Sequence, residues 1–139
     1  MPIKHFLLAL QFFTRIPITG SLAAWVGYSP PMLRSASAYF PLVGSLVGSF
    51  SAAVLLLASA LLPSSDLGYL LAAALATASS VWLTGGFHED GLADTADALG
   101  GYVAAERALD IMKDSRIGSY GSLALILVLG IKISVLALL

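Results

Sequence analysis

The chain has 139 residues, of which 58% are apolar and only 11% charged, against about 45–50% and about 25% in ordinary globular domains. So little charge would not keep a protein of this length in solution, and a bilayer is its natural solvent. A net charge of −1 gives no basis for nucleic-acid binding, and the absence of cysteine excludes disulfides, iron–sulfur clusters and thiolate metal sites.

Taken in chain order, the apolar stretch after Lys4 is broken by Gln11, Thr14, Arg15 and Pro17 and meets no small-residue cleavage site, which argues against a signal peptide. Residues 4–18 read as a tilted or interfacial helix ending at Ile16-Pro17, or as a short re-entrant piece. Ser35 to Leu62 is the first span, longer than the roughly 20 apolar residues a crossing needs. Pro41 near its start opens a helix or kinks one. Gly44 and Gly48 form a small-xxx-small face that would let another helix approach closely. Pro63-Ser64-Ser65-Asp66 is a short turn, and Gly68 to Phe87 is the second span, completing a helical hairpin. Residues 88–120 are polar and hold most of the charge. Gly121 to Leu139 is the third span. It carries Lys132, expected to snorkel to the outer interface in preference to facing a polar cavity.

Lys4, Arg15 and Arg34 precede the first span, the 63–67 turn has no base, and Arg107, Lys113 and Arg116 follow the second span. The positive-inside rule then places the N-terminus and the acidic segment in the cytoplasm. The fold class is all-α: a polytopic membrane helix bundle of about three spans, an N-terminal interfacial or re-entrant helix, and a helical acidic segment at the cytoplasmic edge. The chain reads as one membrane-embedded domain over 1–139. It stops inside an apolar run, so a missing C-terminal part is expected.

The chemistry concentrates between the second and third spans, where Glu89, Asp90, Asp94 and Asp97 fall within nine residues. On a helix Asp90, Asp94 and Asp97 are spaced i, i+4, i+7 and share a face, with Glu89 on its flank. Like charges so placed repel, and a divalent cation removes that repulsion. Oxygen donors favour a hard ion such as Mg²⁺, Ca²⁺ or Mn²⁺; His88 beside carboxylates is a poor zinc set. The acids are interleaved with Gly, Leu, Ala and Thr, with no base between Arg34 and Arg107, unlike an ordinary solvated loop. A second cluster, Arg107 through Gly121, mixes both signs. Bases beside a metal face suit a phosphate or diphosphate, although a basic stretch next to a span also sets topology.

At these residues the sequence resembles the cobalamin synthase family, the adenosylcobinamide-GDP ribazoletransferases. Four blocks carry the resemblance: 6–17 (FLLALQFFTRIP), 39–44 (YFPLVG), 85–97 (GGFHEDGLADTAD) and 107–121, especially IMKDSRIG at 111–118. The third and fourth are highly specific in this order and spacing. The resemblance covers essentially the whole chain but about the first half of a typical member.

It implies a polytopic inner-membrane enzyme that needs Mg²⁺ and joins adenosylcobinamide-GDP to α-ribazole or its 5′-phosphate, releasing GMP. The resemblance assigns Glu89, Asp90, Asp94 and Asp97 to the metal. Asp94 is the candidate to take the proton of the attacking hydroxyl instead, with His88 a second catalytic candidate. Arg107, Lys113 and Arg116, with Asp114 in second rank, would meet the phosphates. Membrane lipid is a further partner, and a homo-oligomer is left open. Ala98 stands where the family often has glycine and Asp110 where it often has glutamate. A cation transporter fragment and a non-catalytic membrane subunit are the competing readings, since acids near a span also line ion paths.

Overall fold

The structure is a computed structural model that describes residues 1–101 and 104–139. The described residues form eight α-helices: α1 Pro2–Phe13, α2 Gly20–Val26, α3 Pro30–Ala36, α4 Phe40–Leu61, α5 Asp66–Thr84, α6 Phe87–Gly100, α7 Ala105–Ile111 and α8 Ser119–Leu136. A 3₁₀ turn at Ser37–Tyr39 joins α3 to α4. Three stretches, Pro30–Leu61, Asp66–Thr84 and Ser119–Leu136, are long and apolar enough to cross a membrane. The all-α, three-span expectation therefore holds, and the chain is a multi-pass membrane protein.

The N-terminal segment differs in detail from its expectation. α1 stops at Phe13, short of Ile16-Pro17, because Thr14 closes it: the Thr14 hydroxyl donates to the Leu10 carbonyl at 2.7 Å and accepts from the Ile16 amide at 3.2 Å. The chain then turns onto α5, with the Arg15 amide donating to the Leu83 carbonyl at 2.7 Å. Two short helices, α2 and α3, occupy a region that the apolar pattern left unassigned. Leu8, Ala9 and Leu10 of α1 pack with Ile18, Val26, Ala36 and Val43 into one buried cluster. The first span starts earlier than Ser35, because the turn at Ser37–Tyr39 lets α3 lead directly into α4. Pro41 lies in the first turn of α4, where its missing N–H costs nothing.

α4 and α5 make the expected hairpin. Ser65 caps α5 by accepting from the Gly68 amide at 3.2 Å. The hairpin does not use the Gly44/Gly48 face. A methyl group added at either glycine would meet no atom within 4 Å. The closely approached surface belongs to α5, whose Ala72, Ala73 and Ala76 are buried, and the Ser51 hydroxyl donates across to the Ala76 carbonyl at 2.9 Å. Alanines permit the same backbone approach as glycines, so a GxxxG pattern on one helix did not decide which faces meet.

Gly85 and Gly86 separate α5 from the acidic helix. Both have positive φ, +71° and +75°, a region that costs an L-residue roughly 1–2 kcal/mol. Their amides donate to the carbonyls of Trp82 and Val81, satisfying the C-terminus of α5 and freeing α6 to start in a new direction. α6 then packs along α8.

Candidate active site: an acidic helix facing a basic loop

α6 carries all four acids, as expected of a helical acidic segment. Its N-terminus is pinned by aromatic rings: Phe87 lies edge-on to Phe12 and Phe13, with centroids 5.5 and 5.2 Å apart. The carboxylates at Glu89 and Asp90 fall in the first turn, where the helix dipole favours negative charge.

Glu89, Asp90 and Asp94 line a cavity of roughly 690 Å³ that the segment between α7 and α8 also lines, with Lys113, Asp114, Ser115 and Arg116. Acidic and basic clusters that lie about twenty residues apart in the chain thus border one space. They do not neutralise each other. Among the described residues the only ion pair is Asp114 with Arg116, at 2.6 Å. Glu89 Oε2 is buried and has no hydrogen-bond partner, an unusual state for a carboxylate oxygen.

Asp114 is spent on Arg116. It accepts from the Arg116 Nε at 3.0 and 3.2 Å, from Nη2 at 2.6 Å and from the Arg116 amide at 3.1 Å. These hydrogen bonds, side chain first, lower its carboxyl from the ordinary 3.8 to about 2, and the same contact raises the guanidinium. Asp114 therefore orients Arg116.

The remaining candidates lie elsewhere. Asp97 turns away from the cavity: its carboxylate accepts from the Gly118 amide at 2.7 Å and the Gly121 amide at 2.8 Å. His88 lines a second, largely apolar groove of about 710 Å³ between α4, α5 and α8, with its ring stacked on Phe13 at 5.9 Å. Arg107 is exposed on α7 and is not part of the cavity wall. Lys132 is exposed and borders the apolar groove with Glu89, His88 and Leu136.

Sequence reasoning passed over Thr84 and Ser115. Thr84 borders both the cavity and the groove, and Ser115 stands between Lys113 and Arg116. A hydroxyl immediately before a glycine pair, and one inside a basic run, were the available signals.

Among the described residues no three His, Asp or Glu side chains converge tightly enough to form a complete protein cage for an ion. The donors still fit Mg²⁺, which usually takes one or two carboxylates and completes its shell with water and substrate phosphate. Glu89, Asp90 and Asp94, which border the cavity together, carry such donors, and one Glu89 oxygen is left without a hydrogen-bond partner.

The family model for cobalamin-5-phosphate synthase matches residues 5–139. Similar curated proteins include the adenosylcobinamide-GDP ribazoletransferase of Polaromonas naphthalenivorans, 59% identical over 137 residues. The proteins of that name from Albidiferax ferrireducens and Shewanella amazonensis are 58% and 54% identical. The Polaromonas alignment covers 99% of this chain and 49% of the relative, and the other two cover 49% and 48% of theirs; the chain spans about half the length of the curated relatives it matches. No solved structure matches it. With the diagnostic acidic and basic blocks inside the matched region, the chain belongs to the cobalamin-5-phosphate synthase family.

Proposed function

We propose that this chain carries the metal- and diphosphate-binding site of a Mg²⁺-dependent adenosylcobinamide-GDP ribazoletransferase, a phosphotransferase of late cobalamin biosynthesis. The observation that carries the reading is the one cavity lined both by Glu89, Asp90 and Asp94, which make no ion pair among the described residues, and by Lys113 and Arg116. A diphosphate complexed with a hard cation offers positive charge to the acids and negative oxygens to the bases.

In the proposed reaction a hydroxyl of α-ribazole, or of its 5′-phosphate, attacks the cobinamide-side phosphorus. A new P–O bond forms, the P–O bond to GMP breaks, and the hydroxyl proton passes to a carboxylate of the acidic helix that does not hold the metal. Glu89, Asp90 and Asp94 are the candidates to hold Mg²⁺, which when bound stabilises charge on the diphosphate and the leaving group. Lys113 and Arg116 bind the phosphate oxygens, and Asp114 fixes the guanidinium beforehand, which saves ordering entropy during binding. His88 and Arg107 have no place in this scheme as positioned: one is stacked in the apolar groove and the other is outside the cavity. The distribution of bases supports a site at the cytoplasmic face of the inner membrane, where a nucleotide-linked substrate is available.

The test uses the purified chain in liposomes. Calorimetry should detect Mg²⁺-dependent binding of adenosylcobinamide-GDP, and GMP release on adding α-ribazole reports turnover. Asp90→Asn together with Asp94→Asn should weaken binding by about tenfold or more and slow any turnover by about a hundredfold or more. Binding that is indifferent to Mg²⁺, or that survives the double substitution, refutes the assignment.

A further inference from the structure

α8 begins without the means to cap itself. Its N-cap residue is Gly118 and its third helical residue is Gly121. In a capping box these two positions hold side chains that satisfy each other's backbone amides, and here neither has a side chain. The amides are nevertheless paired. Asp97 of α6, 21 and 24 residues away, accepts from Gly118 N–H with Oδ2 and from Gly121 N–H with Oδ1, at 2.7 and 2.8 Å. One carboxylate from another helix thus does the work of both partners of a capping box, with its charge at the positive end of α8.

The glycines are explained by the same contact. A methyl group on Gly118 or Gly121 would run into the Asp97 carboxylate, and on Gly121 it would also lie 2.9 Å from the Ala93 carbonyl oxygen. Replacement of either glycine must therefore displace the aspartate.

We infer that Asp97 is a positioning residue and not a metal ligand. Both of its oxygens are engaged in binding the start of α8 to α6. The segment ending at Gly118 bears Lys113 and Arg116, so this clamp sets the distance between the phosphate-binding wall and the acidic wall. The role assigned to those two walls rests on the proposed function; the clamp itself does not.

The chain has no cysteine, so Thr95→Cys and Ser115→Cys, both at exposed positions, can carry one spin label on α6 and one on the basic segment of the full chain in detergent. The label-to-label distance distribution should be narrow in the otherwise native chain and broad in Asp97→Asn. Mn²⁺, titrated alone by electron paramagnetic resonance into the unlabelled chain, should bind Asp97→Asn within about threefold of the native affinity, whereas Asp94→Asn should weaken it about tenfold or more and leave the distance narrow. Gly121→Ala keeps the carboxylate but removes its seat, and should broaden the distance as Asp97→Asn does; it serves as the decisive variant if Asp97→Asn fails to fold. A narrow distance in Gly121→Ala, or an Asp97→Asn variant that loses Mn²⁺ as Asp94→Asn does, overturns the assignment. If the native chain binds no Mn²⁺, the metal reading fails and the clamp is still decided by the distances.

Discussion

Replacing Glu89 with leucine should make the protein more stable without Mg²⁺ and less responsive to it. Glu89 Oε2 is buried with no hydrogen-bond partner, and an unsatisfied buried polar group costs about 1–3 kcal/mol. The residue as a whole is only half-buried, so the lower end applies, about 1 kcal/mol. For a chain of this size that corresponds to roughly 3–5 °C in melting temperature. Saturating Mg²⁺ at a hundred times its dissociation constant should stabilise the native protein by about 2.7 kcal/mol. The assay is thermal unfolding in detergent, with and without Mg²⁺. The expected result is a Glu89→Leu variant that melts a few degrees higher in chelator and gains less than half the native increment from Mg²⁺. A variant that melts lower in chelator, or that responds to Mg²⁺ as the native protein does, would refute the claim that the orphaned oxygen is a metal donor.

Three further predictions follow from the packing and electrostatics. Ala76→Leu should destabilise the α4–α5 hairpin by about 1–3 kcal/mol through overpacking, because Ala76 is only 1% exposed; Gly44→Leu, facing open space, should stay within about 0.5 kcal/mol, and melting curves compare the two. Gly86→Ala should cost about 1–2 kcal/mol from backbone strain alone, since φ is +75° and nothing stands near the added methyl group; partial proteolysis at the α5–α6 junction reports the loosening. The Asp114 carboxyl has a folded value of about 2, below the ordinary 3.8, so its stabilising contact with Arg116 is fully present above about pH 4 and is lost as pH falls toward 2. A carboxyl-carbon NMR titration should show this, and Arg116→Gln should return Asp114 toward its ordinary value.

Much of the architecture was legible in the chain because its signals are local. Span length and apolarity identify Ser35–Leu62, Gly68–Phe87 and Gly121–Leu139 to within a few residues, apart from the early start of the first. Proline at position 41 and the turn at 63–66 mark real boundaries. The acidic segment was expected to be helical, and α6 is a helix. The short helices α2 and α3 were not legible, because seven-residue helices draw their stability from tertiary contacts with α1 and not from their own periodicity. Among the described residues no helix approaches the Gly44/Gly48 face; the close approach is at the buried alanines of α5.

Within the site, the residue types and their local spacing already put the acids on one helix and a mixed-charge run beside it. What the linear order could not apportion was the work of each charge. Asp94 and Asp97 are three residues apart on one helix, yet one faces the cavity and the other binds amides more than twenty residues downstream. Asp114 and Arg116 both belong to the basic run, yet one orients the other. Such roles depend on which backbone groups and side chains the packing of α6 against α8 brings within hydrogen-bond reach, a distance that helix periodicity does not encode.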